Sequence, residues 1–372
     1  MTAAAVTVDG HTAFGRPLVP DAPSAGACPD FSTFLQRLAE RRDLSREEAS
    51  AALRQIADST VGEAQAAAFL MGLRAKGETA EEIAGLADAM RHLAVRVVTS
   101  SPDALVDIVG TGGDGLDTFN ISTTAAFVVA GAGVRVAKHG NRAASSRSGA
   151  ADVLQALGAR VDLGPAEVAA SIEETGMGFM LASLYHSSMS QVGAVRRSLG
   201  IRTVFNFLGP VTNPAGARRI LLGVSVDSYL GVLAEALACT GCSHALLVHG
   251  CDGMDELSVT GPNLAVEVID GHVASPKVIH PEDCGLSVHP PASLAGGDPA
   301  ENALITRKIL GGMRGGPRDA VLFNAGAALY VSGKVSSIVA GVDAARASID
   351  SGSAARTLDR FIAFSNAVGR RP

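Results

Sequence analysis

Three stretches of this chain carry residue types that could do chemistry together. Gly110-Thr111-Gly112-Gly113-Asp114-Gly115 follows the apolar run Leu105-Val106-Asp107-Ile108-Val109 and precedes Thr118-Phe119-Asn120-Ile121-Ser122-Thr123. Strand, glycine loop and helix start, in that order, place backbone N–H groups around a phosphate. The hydroxyls of Ser122 and Thr123 and the amide of Asn120 stand at the helix start, where they can add to that shell. Lys138-His139-Gly140-Asn141, with Ser145 shortly after, comes at the end of the next strand-like run. Lys138 offers a compact charge for a departing diphosphate, and Asn141 and Ser145 complete a polar shell. Far along the chain, Asp255 and Glu256 are adjacent carboxylates on a loop after a third strand. Such hard oxygen ligands, together with diphosphate oxygens, suit Mg²⁺.

The loop also satisfies G-x-G-x-x-G literally. A dinucleotide fold wants an acidic residue at the end of the next strand to hold ribose hydroxyls. This chain has Lys138 and His139 there, and Asp114 inside the loop would face the pyrophosphate. The signs oppose a dinucleotide. A purely structural glycine turn is the bland alternative. The reading that uses all the residues is a cradle for a sugar diphosphate.

The elements that must position these groups read as an α/β protein. Phe31, Phe34, Leu35 and Leu38 follow helical spacing. Ser45 with Glu48, Thr60 with Glu63 and Thr79 with Glu82 are capping-box signals, so residues 31 to about 98 form a small all-α unit. Period changes after Ser100-Ser101-Pro102. Strands are expected at 105–109, 134–137, 160–163, around 178–182, at 220–226 and at 245–248, with helices between them. A right-handed βαβ crossover is expected, with ligands beyond the carboxyl ends of the strands. Asp270-Gly271 between apolar residues signals a hairpin, so the sheet is mixed and mostly parallel, flanked by helices. Residues 1–30, rich in Ala, Pro and Gly, read as a flexible extension.

The whole chain bounds its partners. At 372 residues with 47% apolar and 18% charged residues it can bury a large core. A net charge of −6 argues against nucleic acid or a membrane surface as partner. With no spanning run and no secretory signal, a cytoplasmic protein is expected. Five cysteines fit reduced thiols, and Cys239-Thr240-Gly241-Cys242 reads as small buried residues closing a helix with Gly241 as cap.

GTGGDGLDTFNIST, KHGNRAASSRSGAADVLQALG and VFNFLGPVTNPAG resemble anthranilate phosphoribosyltransferases, and so do MGLRAKGETAEEIAGLADAMR, DGMDELS, GGDPAENA and NAGAALY, in order from about residue 31 to the C-terminus. The resemblance implies transfer of the phosphoribosyl group of phosphoribosyl diphosphate to the amine of anthranilate, in tryptophan biosynthesis. Carried over by motif, Gly110, Thr111, Gly112, Gly113, Asp114, Thr118, Asn120, Ser122, Thr123, Lys138, Asn141 and Ser145 would bind the donor. Ser122, Asp255 and Glu256 would hold Mg²⁺. Gly110, His139, Asn141, His186, Arg196 and Pro210 would line the acceptor's place, with Arg196 binding its carboxylate. Lys138 and Arg196 are the expected catalytic residues. The resemblance also implies a homodimer through a small helical domain of residues 31–101 and about 186–213, with a donor-binding α/β domain of residues 102–185 and about 214–372.

One run departs from the family pattern. In GFMLASLYHSSMSQV, His186 and Met189 are retained, while Ser183, Ser187 and Ser190 replace typical residues. A related aminobenzoate is therefore the alternative acceptor. A pyrimidine nucleoside phosphorylase shares the glycine loop, but Arg196 and NFLGPVTNP argue against it. A nucleic-acid-binding paralogue would have lost the loops and gained basic surface.

Overall fold

A computed structural model describes residues 30–143 and 146–368. Ser145 and the extension before Asp30 lie outside the described residues.

The first unit is helical: α1 (Phe31–Ala39), α2 (Arg46–Ala57), α3 (Glu63–Lys76) and α4 (Ala80–Leu93). Ser45 and Thr79 form the expected capping boxes with Glu48 and Glu82. Thr60 does not. Gly62 takes the cap of α3, and the Thr60 hydroxyl instead donates to Gln55 O, closing the preceding helix at 2.9 Å.

The α/β unit follows as β1 (Leu105–Gly110), α5 (Ile121–Gly131), β2 (Arg135–Gly140), α6 (Ala150–Ala156), α7 (Pro165–Thr175) and β3 (Met177–Leu181). Three short helices, α8 (Ala182–Tyr185), α9 (Ser190–Leu199) and α10 (Phe205–Leu208), lead to β4 (Arg219–Gly223), α11 (Leu230–Cys239) and β5 (His244–Gly250). The strands β6 (Asn263–Ile269), β7 (His272–Val273) and β8 (Lys277–Ile279) precede α12 (Pro299–Leu310), α13 (Gly316–Val331), α14 (Ile338–Asp350) and α15 (Ser353–Ala367).

The sheet runs β3-β2-β1-β4-β5-β6-β7, with β8 also on β6. Strands β3 to β5 in that order are parallel; β6 turns antiparallel to β5. Asp270 and Gly271, at φ 47° and 81°, make the left-handed turn that joins β6 to β7. The chain leaves β1 toward β2 and β3 on one side, then returns to β4 and β5 on the other. The switch point therefore lies between β1 and β4, where a crevice opens beyond the strand ends.

Alternation along β1 divides the core. Val106 and Ile108 join α5 and α13 on one face, while Val109 packs with Ile220 and Leu222 on the other. Helix α5 is buried on nearly every side, which explains its run of Ala, Val and Phe. On the opposite face, Val192, Val195, Phe205, Phe207 and Leu208 share one core with Phe34, Phe69 and Leu73 of the N-terminal helices.

Three local expectations change. Residues 160–163 form no strand: Arg160 N–H donates to Ser365 Oγ and its guanidinium to Val368 O, at the end of α15. Strand β4 stops at Gly223, and β2 runs on to Gly140, so Lys138 and His139 lie within the strand. Gly241 does close α11, at φ 77°, and Cys242 is buried, but Cys239 is exposed with its Sγ toward Glu81.

Candidate active site

Side by side at the carboxyl ends of β1 and β4, Gly110 and Gly223 are register partners. Asp255 crosses over both. A Cβ on Gly110 would lie 2.2 Å from Asp255 Oδ2, and one on Gly223 would lie 1.6 Å from Asp255 O. Neither position admits a side chain. The glycine loop thus rests on the carboxylate loop, and Gly112 N–H donates to Asp255 Oδ2 at 2.6 Å. Thr111 N–H donates to Gly223 O, and its hydroxyl meets Ser225 Oγ at 3.1 Å.

The carboxylates crowd one another. Burial, Glu256 and Asp114 push the Asp255 carboxyl well above its ordinary range. Burial also lifts Glu256 to about 7, against the pull of Lys138 and Ser122. Glu256 accepts from Ser122 N–H at 3.1 Å, at the first turn of α5. Lys138 is buried; its Nζ donates to Ile108 O at 2.6 Å and meets Ser122 Oγ at 3.3 Å. Desolvation lowers its pKa, while Asp107, Glu256 and Asp255 raise it. Asp255 and Glu256 thus share a single ammonium, with Asp114 adding to their charge. Hard oxygen donors short of positive charge fit a divalent cation. Among the described residues no three His, Cys, Asp or Glu side chains close a metal cage by themselves. That suits Mg²⁺, which keeps waters and substrate oxygens in its shell.

Adjacent in β2, Lys138 and His139 face opposite sides of the sheet. His139 Nδ1 lies 3.0 Å from Gly209 O, and its ring meets His186 at 5.1 Å between centroids. Burial, with His186 beside it, lowers His139 to about 3, and burial lowers His186 to about 4. Both rings are therefore neutral at pH 7. The Nε2 atoms of both are buried without a partner, as is Ser188 Oγ. Pro210 is buried in the turn that follows Gly209. Arg196, on α9, lies over the Phe205 ring at 5.8 Å, and burial lowers its pKa.

The remaining expected residues are more dispersed. Asn141 is exposed beyond β2 and accepts from Arg142 N–H. Asn120 bonds Ser148 and Asn302, tying the start of α5 to the loop before α6 and to α12. Thr118 bridges Ala295. Thr123 is 1% exposed, turned into the protein rather than open to the loop. Asp114 accepts from Leu116 N–H, within the loop. Ser183 and Ser187 of the departing run are exposed on short helical turns.

Sequence reasoning missed the groups beneath the site. Asp107 is fully buried in β1; it accepts from His139 N–H and from Asn213 Nδ2 at 2.7 Å. Asn213 also donates to Ala137 O. Desolvation raises Asp107 to about 6, against Lys138 and Asn213. A lone acid inside an apolar strand was the available signal for Asp107. Asn302 lies within GGDPAENA, a run counted in the resemblance but not as a site, and Ser225 carried no signal.

Comparison with known proteins agrees along the chain. The profile described as "Glycosyl transferase family, a/b domain" matches residues 102–355, and "Glycosyl transferase family, helical bundle domain" matches residues 32–94. The chain is 51% identical to the anthranilate phosphoribosyltransferase of Rubrobacter xylanophilus over 338 residues, 91% of this chain and 98% of that protein. It is 53% identical to that of Anaeromyxobacter dehalogenans, over 88% of this chain and 97% of the other. Among solved structures, the anthranilate phosphoribosyltransferase of Thermus thermophilus superposes with a TM-score of 0.85 at 44% identity, covering 90% and 99% of the two chains. The Saccharomyces cerevisiae enzyme in complex with phosphoribosyl diphosphate and Mg superposes at 0.83 and 30% identity, covering 91% and 98%.

Proposed function

This chain belongs to the anthranilate phosphoribosyltransferase family, and from that membership we propose how its own residues divide the reaction. It is a glycosyltransferase that moves the phosphoribosyl group of phosphoribosyl diphosphate to the amine of anthranilate, releasing diphosphate, in tryptophan biosynthesis.

The donor takes the switch-point crevice. Gly110 to Asp114, Thr118, Asn120, the first turn of α5 at Ser122, Lys138 and Asn141 would form its shell, and Ser145 joins them by motif alone. Ser122, Asp255 and Glu256 would hold Mg²⁺, which supplies positive charge to the departing diphosphate when bound. Lys138 faces the same oxygens from within β2. Its ammonium is fixed by Ile108 O before the donor arrives, so little reorganisation is needed as charge develops.

The acceptor takes the other side of β2. Gly110, His139, Asn141, His186, Arg196 and Pro210 line its place, with the Arg196 guanidinium on the anthranilate carboxylate. Gly209 O fixes a proton on His139 Nδ1, so Nε2 presents a lone pair. With a pKa held near 3, that nitrogen accepts a hydrogen bond from the arylamine and orients it without removing its proton. The arylamine needs no enzyme nucleophile, since its own lone pair attacks the anomeric carbon. Alignment of the two substrates carries much of the rate.

The observation that carries this reading is the pairing of opposite faces of one strand. Lys138 points to the carboxylates and glycine loop, and His139 to the second histidine and the Gly209 turn. A fluorescence assay of anthranilate consumption with phosphoribosyl diphosphate, titrated with Mg²⁺ beside substituted anthranilates, tests it. Turnover of anthranilate that requires the cation supports the reading; turnover of an analogue alone, or none of the cation dependence, refutes it.

The helical domain, residues 31–101 with about 186–213, is proposed as the homodimer face. Met71, 40% exposed, stands there beside a depression lined by Leu38, Ala39, Gly72 and Ala75. Met71→Asp should shift the sedimentation coefficient to that of a monomer. Free thiols at Cys239, Cys242, Cys251 and Cys284 support a reducing, cytoplasmic compartment.

A further inference from the structure

Arg202 stands between the two halves of the site and belongs to neither set. It follows α9, the helix that carries Arg196, and precedes α10. Its guanidinium packs on the glycine loop: a Cβ on Gly113 would lie 2.5 Å from Nη2 and 3.1 Å from Cζ. Its Nη1 donates to Ser225 Oγ at 3.2 Å. Among the described residues Arg202 forms no ion pair, although it is only partly exposed.

Ser225 links this cation to the loop. Its N–H donates to Thr111 Oγ1 at 3.0 Å and its hydroxyl donates to Gly112 O at 2.9 Å. Its proton is thereby spent on Gly112, so Ser225 Oγ accepts from Arg202, and the Thr111 hydroxyl is left to donate to it. Arg202, Ser225, Thr111 and Gly112 form one chain of hydrogen bonds. It runs from the segment after the acceptor helix to the glycine turn. A loop of several left-handed glycines has many conformations to lose when it closes on a ligand. A brace that holds two of its residues removes part of that cost.

We propose that Arg202 is a positioning residue that, through Ser225, holds the Gly110–Asp114 loop in its donor-binding conformation. The inference rests on the reading of that loop as the donor site. Arg202 acts on phosphoribosyl diphosphate affinity and leaves anthranilate recognition to Arg196.

The experiment compares Arg202→Gln, Ser225→Ala and the double variant. It measures phosphoribosyl diphosphate binding by calorimetry with Mg²⁺ and the KM for anthranilate by steady-state assay, with Lys138→Met as reference. The brace predicts donor affinity weaker by about 10-fold in Ser225→Ala, which also loses its own bond to Gly112, and about 5-fold in Arg202→Gln. Because Ser225 lies between Arg202 and the loop, the double variant should match Ser225→Ala within about twofold rather than show the product. The anthranilate KM should stay within about twofold of the parent in all three. Multiplying effects, or an anthranilate KM that rises while donor affinity holds, overturns the proposal. Donor affinity kept in Arg202→Gln but lost in Lys138→Met overturns the brace alone; affinity kept in both overturns the donor-loop reading beneath it. Ser225→Ala removes a single oxygen, so its donor affinity decides the matter even where Arg202→Gln fails to fold.

Discussion

On the glycine-loop side of the site, polar groups are linked to one another before any ligand arrives. Gly112 N–H reaches Asp255, Ser122 N–H reaches Glu256, and Lys138 is fixed by Ile108 O. On the histidine side, His139 and His186 each keep a buried nitrogen without a partner, and Arg196 rests over an aromatic ring. The first half carries an excess of carboxylate; the second holds neutral rings and one cation. A diphosphate brings large negative charge, which an excess of carboxylate can meet only across a divalent cation. A flat aromatic acid brings one charge and needs a dry slot with open hydrogen-bond positions. The two halves differ because their ligands do.

The contrast is broken most severely on the charged side. Asp255→Asn with Glu256→Gln should lower turnover by about 10³-fold or more, since electrostatic stabilisation of a departing group is the largest single contribution. Steady-state rates across a Mg²⁺ titration check this; an unaltered titration would remove these carboxylates from the metal's place. Next, Arg196→Ala should weaken use of anthranilate by roughly 2–5 kcal/mol through loss of a desolvated charge pair. The assay is kcat/KM for the acceptor at saturating donor.

A smaller effect is expected at the joint between the halves. Asp107→Ala leaves His139 N–H buried without an acceptor and takes one of the two acceptors of Asn213 Nδ2, the other being Ala137 O, and should cost about 1–3 kcal/mol, read by urea unfolding. Asp107→Asn keeps one acceptor oxygen and should lose less; equal losses would mean that charge rather than hydrogen bonding holds the joint.

The smallest effect is pH dependence. The folded values of about 3 for His139 and about 4 for His186 lie below the ordinary 6.5. The unfolded chain therefore takes up these protons first as pH falls. Stability is lost below about pH 6.5, at roughly 1.4 kcal/mol per pH unit for each fully titrating ring. Asp107, raised to about 6, acts in the opposite direction between about pH 6 and 4, because its folded carboxyl takes the proton first. Glu256, raised to about 7, and Asp255 act in the same direction as Asp107, so the histidine contribution is read as a difference: from pH 6.5 to 5, His186→Gln should lose less unfolding free energy, or gain more, than the parent. A pH dependence unchanged in that variant would place the acid sensitivity elsewhere.

The donor half was legible in the sequence because its signals are local. A glycine run after a strand, and a cation after the next one, name a phosphate site within forty residues of chain. The acceptor half was reached only through resemblance to a family, since His139, His186 and Gly209 meet by packing and no spacing announces that. The supports were least visible. Asp107 and Asn213 are far apart in the chain, and Arg202 reads as one more arginine after a helix. Fold class followed from the change of period at Pro102. Its errors were local competitions: Gly62 replaced Thr60 as a cap, and Arg160 found partners at the end of α15, and Leu163 O in the Tyr185 hydroxyl, rather than in the sheet.

The division of labour itself is tested most directly by one cross-comparison: donor affinity and anthranilate KM, both measured in Lys138→Met and in Arg196→Ala. Lys138→Met should weaken the donor with anthranilate KM nearly unchanged, and Arg196→Ala should do the reverse. Variants that each shift both substrates alike would contradict a site built in two halves on opposite faces of β2.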